Sequence, residues 1–327
     1  MITSTDFNEM NAIVAYLRRV PFEVTRKKIY NAYELYAGYD PDDDSTFSDC
    51  YDTKTYQHFL ATGKHALESK ESIARALHDN GMHMALVNFF MEHKHTSCLG
   101  IMGGHALLRT DPMFKEITLL SKCLTEQDFT MLSGGGPGAM EATHLGAWMA
   151  ERNSKEVQTA FEMLDIAPSF KDAGWLSSAF KTMQRFPQEK YVSLGIPTWL
   201  YGHEPSTPFA THIAKFFENS IREDSILTLA YGGIIYAPGS AGTMQEIFQE
   251  AVQNHYLSFG VSSPMIFLGT KFWTEEMPVY PLLKGLMESG KYKNLRLTLT
   301  DDTAEIVRIL TDFREELRQM VASKQKE

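Results

Sequence analysis

Cysteine is scarce in this 327-residue chain: Cys50, Cys98 and Cys123 are the three, an odd number with no C-x-x-C pair. That argues against a disulfide framework and against a thiolate metal site, so no metal is expected. Positive charge is also short. Lys and Arg number 31 against 41 Asp and Glu, a formal net charge of −10. Binding along a nucleic-acid backbone needs a basic face, so that class is disfavoured. A small anion stays open, because helix N-termini hold phosphate without net positive charge. No run of about 18 apolar residues occurs, so no membrane partner or spanning helix is expected. The opening MITSTDFNEMNAIV has no basic segment before an apolar core, so no signal peptide and a cytoplasmic location are expected. The P-loop pattern G-x-x-x-x-G-K-[ST] is missing, and no convincing G-x-G-x-x-G with a downstream acid is found. No lysine sits in any Gly-rich turn, which removes the basis for a pyridoxal-phosphate Schiff base. No organic cofactor is expected.

What is present fits one large α/β domain with an appendage. Hydrophobic residues make up 43% of the chain, enough for a sizeable core. Residues 1–95 read as helical, with apolar spacing over 7–19, 56–67 and 72–91. The DPDDD stretch at 40–44 reads as a solvated loop, and His93, Lys94 and His95 as surface polar residues. This region has no chemical motif; it is expected to pack on the main domain or make an oligomer contact.

From residue 96 the texture changes. SCLGIM at 97–102 reads as a strand ending in Gly103-Gly104-His105. A second strand at 128–132 leads to the turn Gly134-Gly135-Gly136-Pro137-Gly138 and a helix over 139–152. Residues 153–188 read as a helical insertion. A third strand at 191–196, a Pro- and Gly-rich loop at 197–208 and a helix from 209 to 222, prolonged toward 230, follow. Further strands are read at 234–237, 264–268 and 295–299, helical pieces over 272–289, and a closing helix over 303–324. Repeated strand, Gly-turn and helix units predict a Rossmann-like, doubly wound parallel sheet, with ligands beyond the carboxyl ends of its strands.

The stretch PGSAGTMQEIFQE at 238–250 is the most informative. After a short strand it makes a tight turn and starts a helix, so backbone N–H groups and the helix dipole converge on one spot. Gly239 and Gly242 clear the approach, Ser240 and Ala241 lie between them, and the Thr243 hydroxyl is within reach of an anion. Glu246 shares a helix face with Thr243. Glu250 shares that face too and is the competing carboxylate.

Together, GGGPGAMEA at 134–142 and PGSAGTMQE at 238–246 resemble the LOG (Lonely Guy) family, whose pattern is PGGxGTxxE. The likeness runs over roughly residues 96–300. It is nearest to the bacterial purine/pyrimidine nucleotide 5′-monophosphate nucleosidase branch, which shares the GGH turn at Gly103 to His105 and the GPGAMEA run. The resemblance implies cleavage of a nucleoside 5′-monophosphate to free base and ribose 5-phosphate, and a homo-oligomer, dimer or higher. It assigns catalysis to Glu246 and Arg222. It assigns substrate and phosphate binding to Gly103, Gly104, His105, Gly135, Gly136, Met140, Glu141, Gly239, Ser240, Ala241, Gly242 and Thr243. Two departures stand out: Ser240 replaces the second Gly of PGG, keeping its N–H, and Glu223 stands where the plant-type M-x-x-R-K pattern has lysine.

The chemistry agrees with the resemblance. Breaking an N-glycosidic bond builds oxocarbenium-like charge on ribose, which a fixed carboxylate at Glu246 stabilises while positioning water. Arg222 would orient Glu246 or contact ribose and phosphate. Glu141 either holds ribose hydroxyls or is a first-turn acid at a helix N-terminus. Two rivals remain: a non-catalytic nucleotide or cofactor carrier, which has no need of an Arg–Glu pair, and a glycosyl-transfer activity.

Overall fold

The computed structural model describes residues 4–92 and 98–324. Its N-terminal part holds helices α1 (Ser4–Leu17), α2 (Ala32–Leu35), α3 (Tyr51–Ala61) and α4 (Ser69–Glu92). The three longer ones answer the expected helical segments, with α3 starting five residues earlier than its apolar spacing suggested. The expected surface residues His93, Lys94 and His95 lie outside the described residues.

The apolar runs that follow become seven parallel strands: β1 (Cys98–Met102), β2 (Thr130–Ser133), β3 (Ser193–Gly195), β4 (His212–Ile213), β5 (Ile234–Tyr236), β6 (Pro264–Leu268) and β7 (Arg296–Thr300). Their order across the sheet is β4-β3-β2-β1-β5-β6-β7. The expected Rossmann-like parallel sheet is therefore what the chain forms. Every residue of β1, β3, β5 and β6 is buried. Helices on both faces explain why these strands read as continuous apolar runs. The helices are α5 (Pro112–Glu126), α6 (Ala139–Trp148), α7 (Ser154–Leu164), α8 (Trp175–Arg185), α9 (Asn219–Leu229), α10 (Ala241–Tyr256), α11 (Val279–Glu288) and α12 (Thr303–Lys324). Local chemistry sets their starts. Asp111 accepts from the Met113 amide ahead of α5, with Pro112 in the first turn.

The chain steps outward from β1 to β4 and then returns to the other side of β1 as β5. Gly100 of β1 lies opposite Leu132 of β2 and Ile234 of β5. The direction of winding thus reverses between β1 and β5, and the strand ends there open a crevice.

One expected helix is wrong. Residues 209–218 do not form one: His212 and Ile213 extend, and β4 pairs with β3 through Leu194–His212 and Gly195–Ile213. Helix α9 starts only at Asn219 and runs to Leu229. The local pattern yields to long-range pairing, because Ile213 is held on its other side as well. Tyr30 donates its amide to the Ile213 carbonyl (2.8 Å) and accepts the Ile213 amide (2.7 Å), an antiparallel bridge that covers the β4 edge.

Other ties bind the N-terminal helices to the sheet. Asp79 of α4 accepts from the Phe217 and Glu218 amides, so it supplies the cap that α9 lacks locally. Asp52 of α3 accepts from the Trp199 indole and pairs at 2.8 Å with buried Lys215. Phe22, Tyr30, Leu35 and Phe59 share one continuous core with the strands. The acidic stretch is more ordered than a solvated loop: Asp40 bridges Asp43, and Asp43 caps a 3-10 turn, Asp44–Asp49.

Candidate functional site

The three Gly turns meet at the reversal point and are knitted by backbone bonds. Gly104 donates to the Pro238 carbonyl (3.0 Å), Ala139 to that of Gly104 (3.1 Å), and Ala237 to that of Met102 (2.8 Å). This packing leaves no room for a side chain at Gly138, which has φ 69° and whose added Cβ would lie 2.4 Å from the Gly104 oxygen. Gly103, Gly104, His105, Gly135, Gly136, Met140, Gly239, Ser240, Ala241, Gly242 and Thr243 thus occupy three adjacent turns, at the ends of β1, β2 and β5.

Ser240, the N-cap of helix α10, makes no side-chain cap bond. Ser240, Ala241 and Gly242 are exposed, and the space beside the Gly242 Cα is open. The first-turn amides and the positive dipole end are available to an anion. Thr243 lies in the first turn of α10, as expected. It is buried, and its hydroxyl packs over Gly239, where an added Cβ would lie 2.2 Å from Oγ1.

One turn deeper on α10 lies Glu246, 7% exposed, with no hydrogen bond to its carboxyl group among the described residues. Burial pushes its pKa up to about 8; nearby Arg222 opposes the shift and Glu223 adds to it. Arg222, on α9, makes no ion pair with Glu246. Its Nε donates to the Ile196 carbonyl (2.8 Å), Nη1 donates to Glu223, and Nη2 lies over Gly134, where a Cβ would meet it at 2.3 Å. Arg222 and Glu246 are thus brought together as through-space neighbours rather than as a bonded pair.

Glu223 is a site residue that sequence reasoning missed. It is buried, its Oε1 accepts from Arg222 and from Asn219 (3.4 Å), and its Oε2 has no partner. In the sequence it shows only as a departure from a lysine. Glu250, the competitor, turns away from the turns. It accepts the Ser263 hydroxyl, and burial raises its pKa to about 7. Beside these acids sits the Tyr236 hydroxyl, buried and unpartnered, its pKa raised well above the ordinary value by burial and by Glu250 and Glu246.

Glu141 lies in the first turn of α6, the second of its two expected roles, and its carboxylate is taken up by a buried ion pair. Both its oxygens accept from the buried Arg109, at 3.2 Å from Nε and 2.6 Å from Nη2. Arg109 also donates to the Ser178 hydroxyl (2.8 Å) and the Trp175 carbonyl (3.0 Å), and lies 4.7 Å from the Trp175 ring centre. Glu141 therefore anchors the helical insertion, and its carboxylate is not available to ribose hydroxyls. Arg109 left no signal in the sequence.

The rim is built from His105, Met140 and Glu204. His105 is exposed, with Nδ1 3.7 Å from Glu204 Oε1 and its ring edge toward Phe170 at 6.2 Å. The Met140 sulfur lies over Gly134, 2.6 Å from where a Cβ would sit. Among the described residues no group of three or more His, Cys, Asp or Glu is placed to hold a metal. No helix among them is long and apolar enough to cross a membrane.

No protein-family model and no curated protein matches the chain. It is similar to several solved structures. The molybdenum cofactor binding protein from the phototrophic bacterium Rippkaea orientalis is 13% identical, with 67% of this chain and 97% of that one covered, TM-score 0.40. The Chlamydomonas rheinhardtii Moco carrier protein is 13% identical, with 67% and 98% covered, TM-score 0.39. The structural-genomics target TM1055 is 17% identical, with 66% and 99% covered, TM-score 0.42. Likeness at this level says nothing of ligand or activity.

Proposed function

We propose that the site at the β1–β5 reversal binds a nucleoside 5′-monophosphate and hydrolyses its N-glycosidic bond, releasing free base and ribose 5-phosphate. The observation that carries this reading is Glu246. It is a buried, unbonded carboxyl with a pKa of about 8, one helical turn below an open phosphate cradle. A carrier has no use for such a group.

At neutral pH this carboxyl holds its proton. It is then placed to act as a general acid, giving the proton to the leaving base nitrogen as the C1′–N bond breaks. The carboxylate left behind faces the developing ribosyl cation and stabilises it. Water adds at C1′ and returns a proton to Glu246. Phosphate bound at residues 239–243 supplies remote binding energy that fixes the sugar over the carboxyl. Arg222, whose fork is held by Ile196 and Glu223, contributes a fixed positive charge at the site's wall. In keeping with the LOG-like motifs, the active protein is a homo-oligomer on this reading.

A second reading, a nucleotide or cofactor carrier, is favoured by one observation. The Arg222 guanidinium is committed to protein partners rather than to Glu246. One experiment separates the two: incubation with AMP, GMP, CMP and UMP, following free base and ribose 5-phosphate. Release from at least one supports the enzyme. Tight binding with no release from any leaves the carrier.

A further inference from the structure

A second cavity, of about 360 Å³, lies beyond the loop that follows β3, between the N-terminal helices and the start of α8. Its volume falls in the range of small-molecule sites, roughly 300–1,000 Å³. The walls are aromatic: Tyr39, Phe47, Tyr56, Phe170 and Trp175 line it. Two carboxylates, Asp44 and Asp172, line it as well, and neither has an ion-pair partner among the described residues. Asp44 accepts from the Tyr39 hydroxyl (2.6 Å) and the Gly174 amide (2.9 Å), and Asp172 from the Ser169 amide (2.7 Å). The third acid, Asp52, is neutralised by Lys215. No Lys or Arg lines the cavity, and its one ionisable base is the exposed His203.

The two unpaired carboxylates disfavour an anion such as a nucleotide phosphate in this cavity. The rings favour a cation, since the aromatic face attracts positive charge. Trp175 and Phe170 already carry protein cations, Arg109 at 4.7 Å and the Lys171 ammonium at 5.7 Å from their ring centres, so Tyr39, Phe47 and Tyr56 are the rings left for a ligand. We propose that this cavity binds an organic cation with an aromatic or apolar body, of the arylalkylamine class, as a site distinct from the phosphate-binding turns. Phe170 also abuts His105, so the occupant would sit beside the mouth of the first site.

The test is calorimetric titration of the full chain with three probes of one shape: phenethylammonium, 2-phenylethanol and phenylacetate. The ammonium is expected to bind at least about tenfold more tightly than the alcohol, and phenylacetate not at all. Asp172→Asn keeps the acceptor for the Ser169 amide but removes the charge, and is expected to weaken the ammonium several-fold while sparing the alcohol. Phe47→Ala, at a half-exposed position, is expected to weaken both. Lack of ammonium binding, equal binding of ammonium and alcohol, or indifference to Asp172→Asn would overturn the proposal. So would competitive displacement of the ammonium by AMP, which would place it in the first site.

Discussion

Glu246, Glu223 and Arg222 crowd two acids and one base into a single buried space, and the acids differ in what they are given. Glu223 has the arginine. Glu246 has only its distant field, which does not offset the burial that raises its pKa. The linkage follows from the sign of that shift. A carboxyl with a folded pKa of about 8 and an ordinary value of 4.5 favours folding only while protonated, and that advantage is lost as pH rises from 4.5 through 8. Glu246→Gln removes the penalty. The variant is expected to gain stability over the parent as pH rises, reaching on the order of 5 kcal/mol at pH 9, read by urea unfolding at several pH values. The same substitution is expected to lower turnover by about 10³-fold or more, since it removes the proton donor. If Glu246 is that donor, kcat/KM falls as pH rises through about 8. Replacing Glu223 by Gln takes away a like charge, so the fall should move to lower pH in a pH–rate profile. Glu246 was legible because a spaced motif marks it. Glu223 was not, since its part depends on burial and on the neighbour whose charge it takes up.

The turns show how far local pattern reaches. Gly138→Ala must place a Cβ against the Gly104 carbonyl at a positive φ, and is expected to cost about 2 kcal/mol or more, seen as a lower melting temperature. Gly242→Ala meets nothing and improves helix propensity, so stability should hold or rise by up to about 1 kcal/mol. Its methyl would still stand in the approach to the α10 amides, so weaker AMP binding in calorimetry is the expected result. Strands β1, β5 and β6 were readable because they are apolar, bounded by Gly or Pro, and buried on both faces. Strand β4 was not. Its two residues carry no period, and what makes them a strand is Leu194 and Gly195 on one side and Tyr30 on the other.

Across the whole molecule, distant segments meet through buried charges. Arg109, between β1 and α5, reaches Glu141 on α6 and the backbone of α8. Arg109→Ala leaves Glu141 buried and unpaired, and is expected to cost about 3–5 kcal/mol in denaturant unfolding. Such pairings join residues far apart in the chain, so neither partner's own surroundings announce them. The same holds for the N-terminal helices, which read as helical and chemically silent, yet whose Asp79 sets the start of the helix bearing Arg222.

The bridge from Tyr30 to Ile213 has one further meaning. A parallel sheet that ends in a two-residue strand would otherwise offer its bare amides and carbonyls as a template on which a second copy could continue the ladder. By spending its own backbone there, the N-terminal segment caps the β4 edge at Ile213 against a foreign strand.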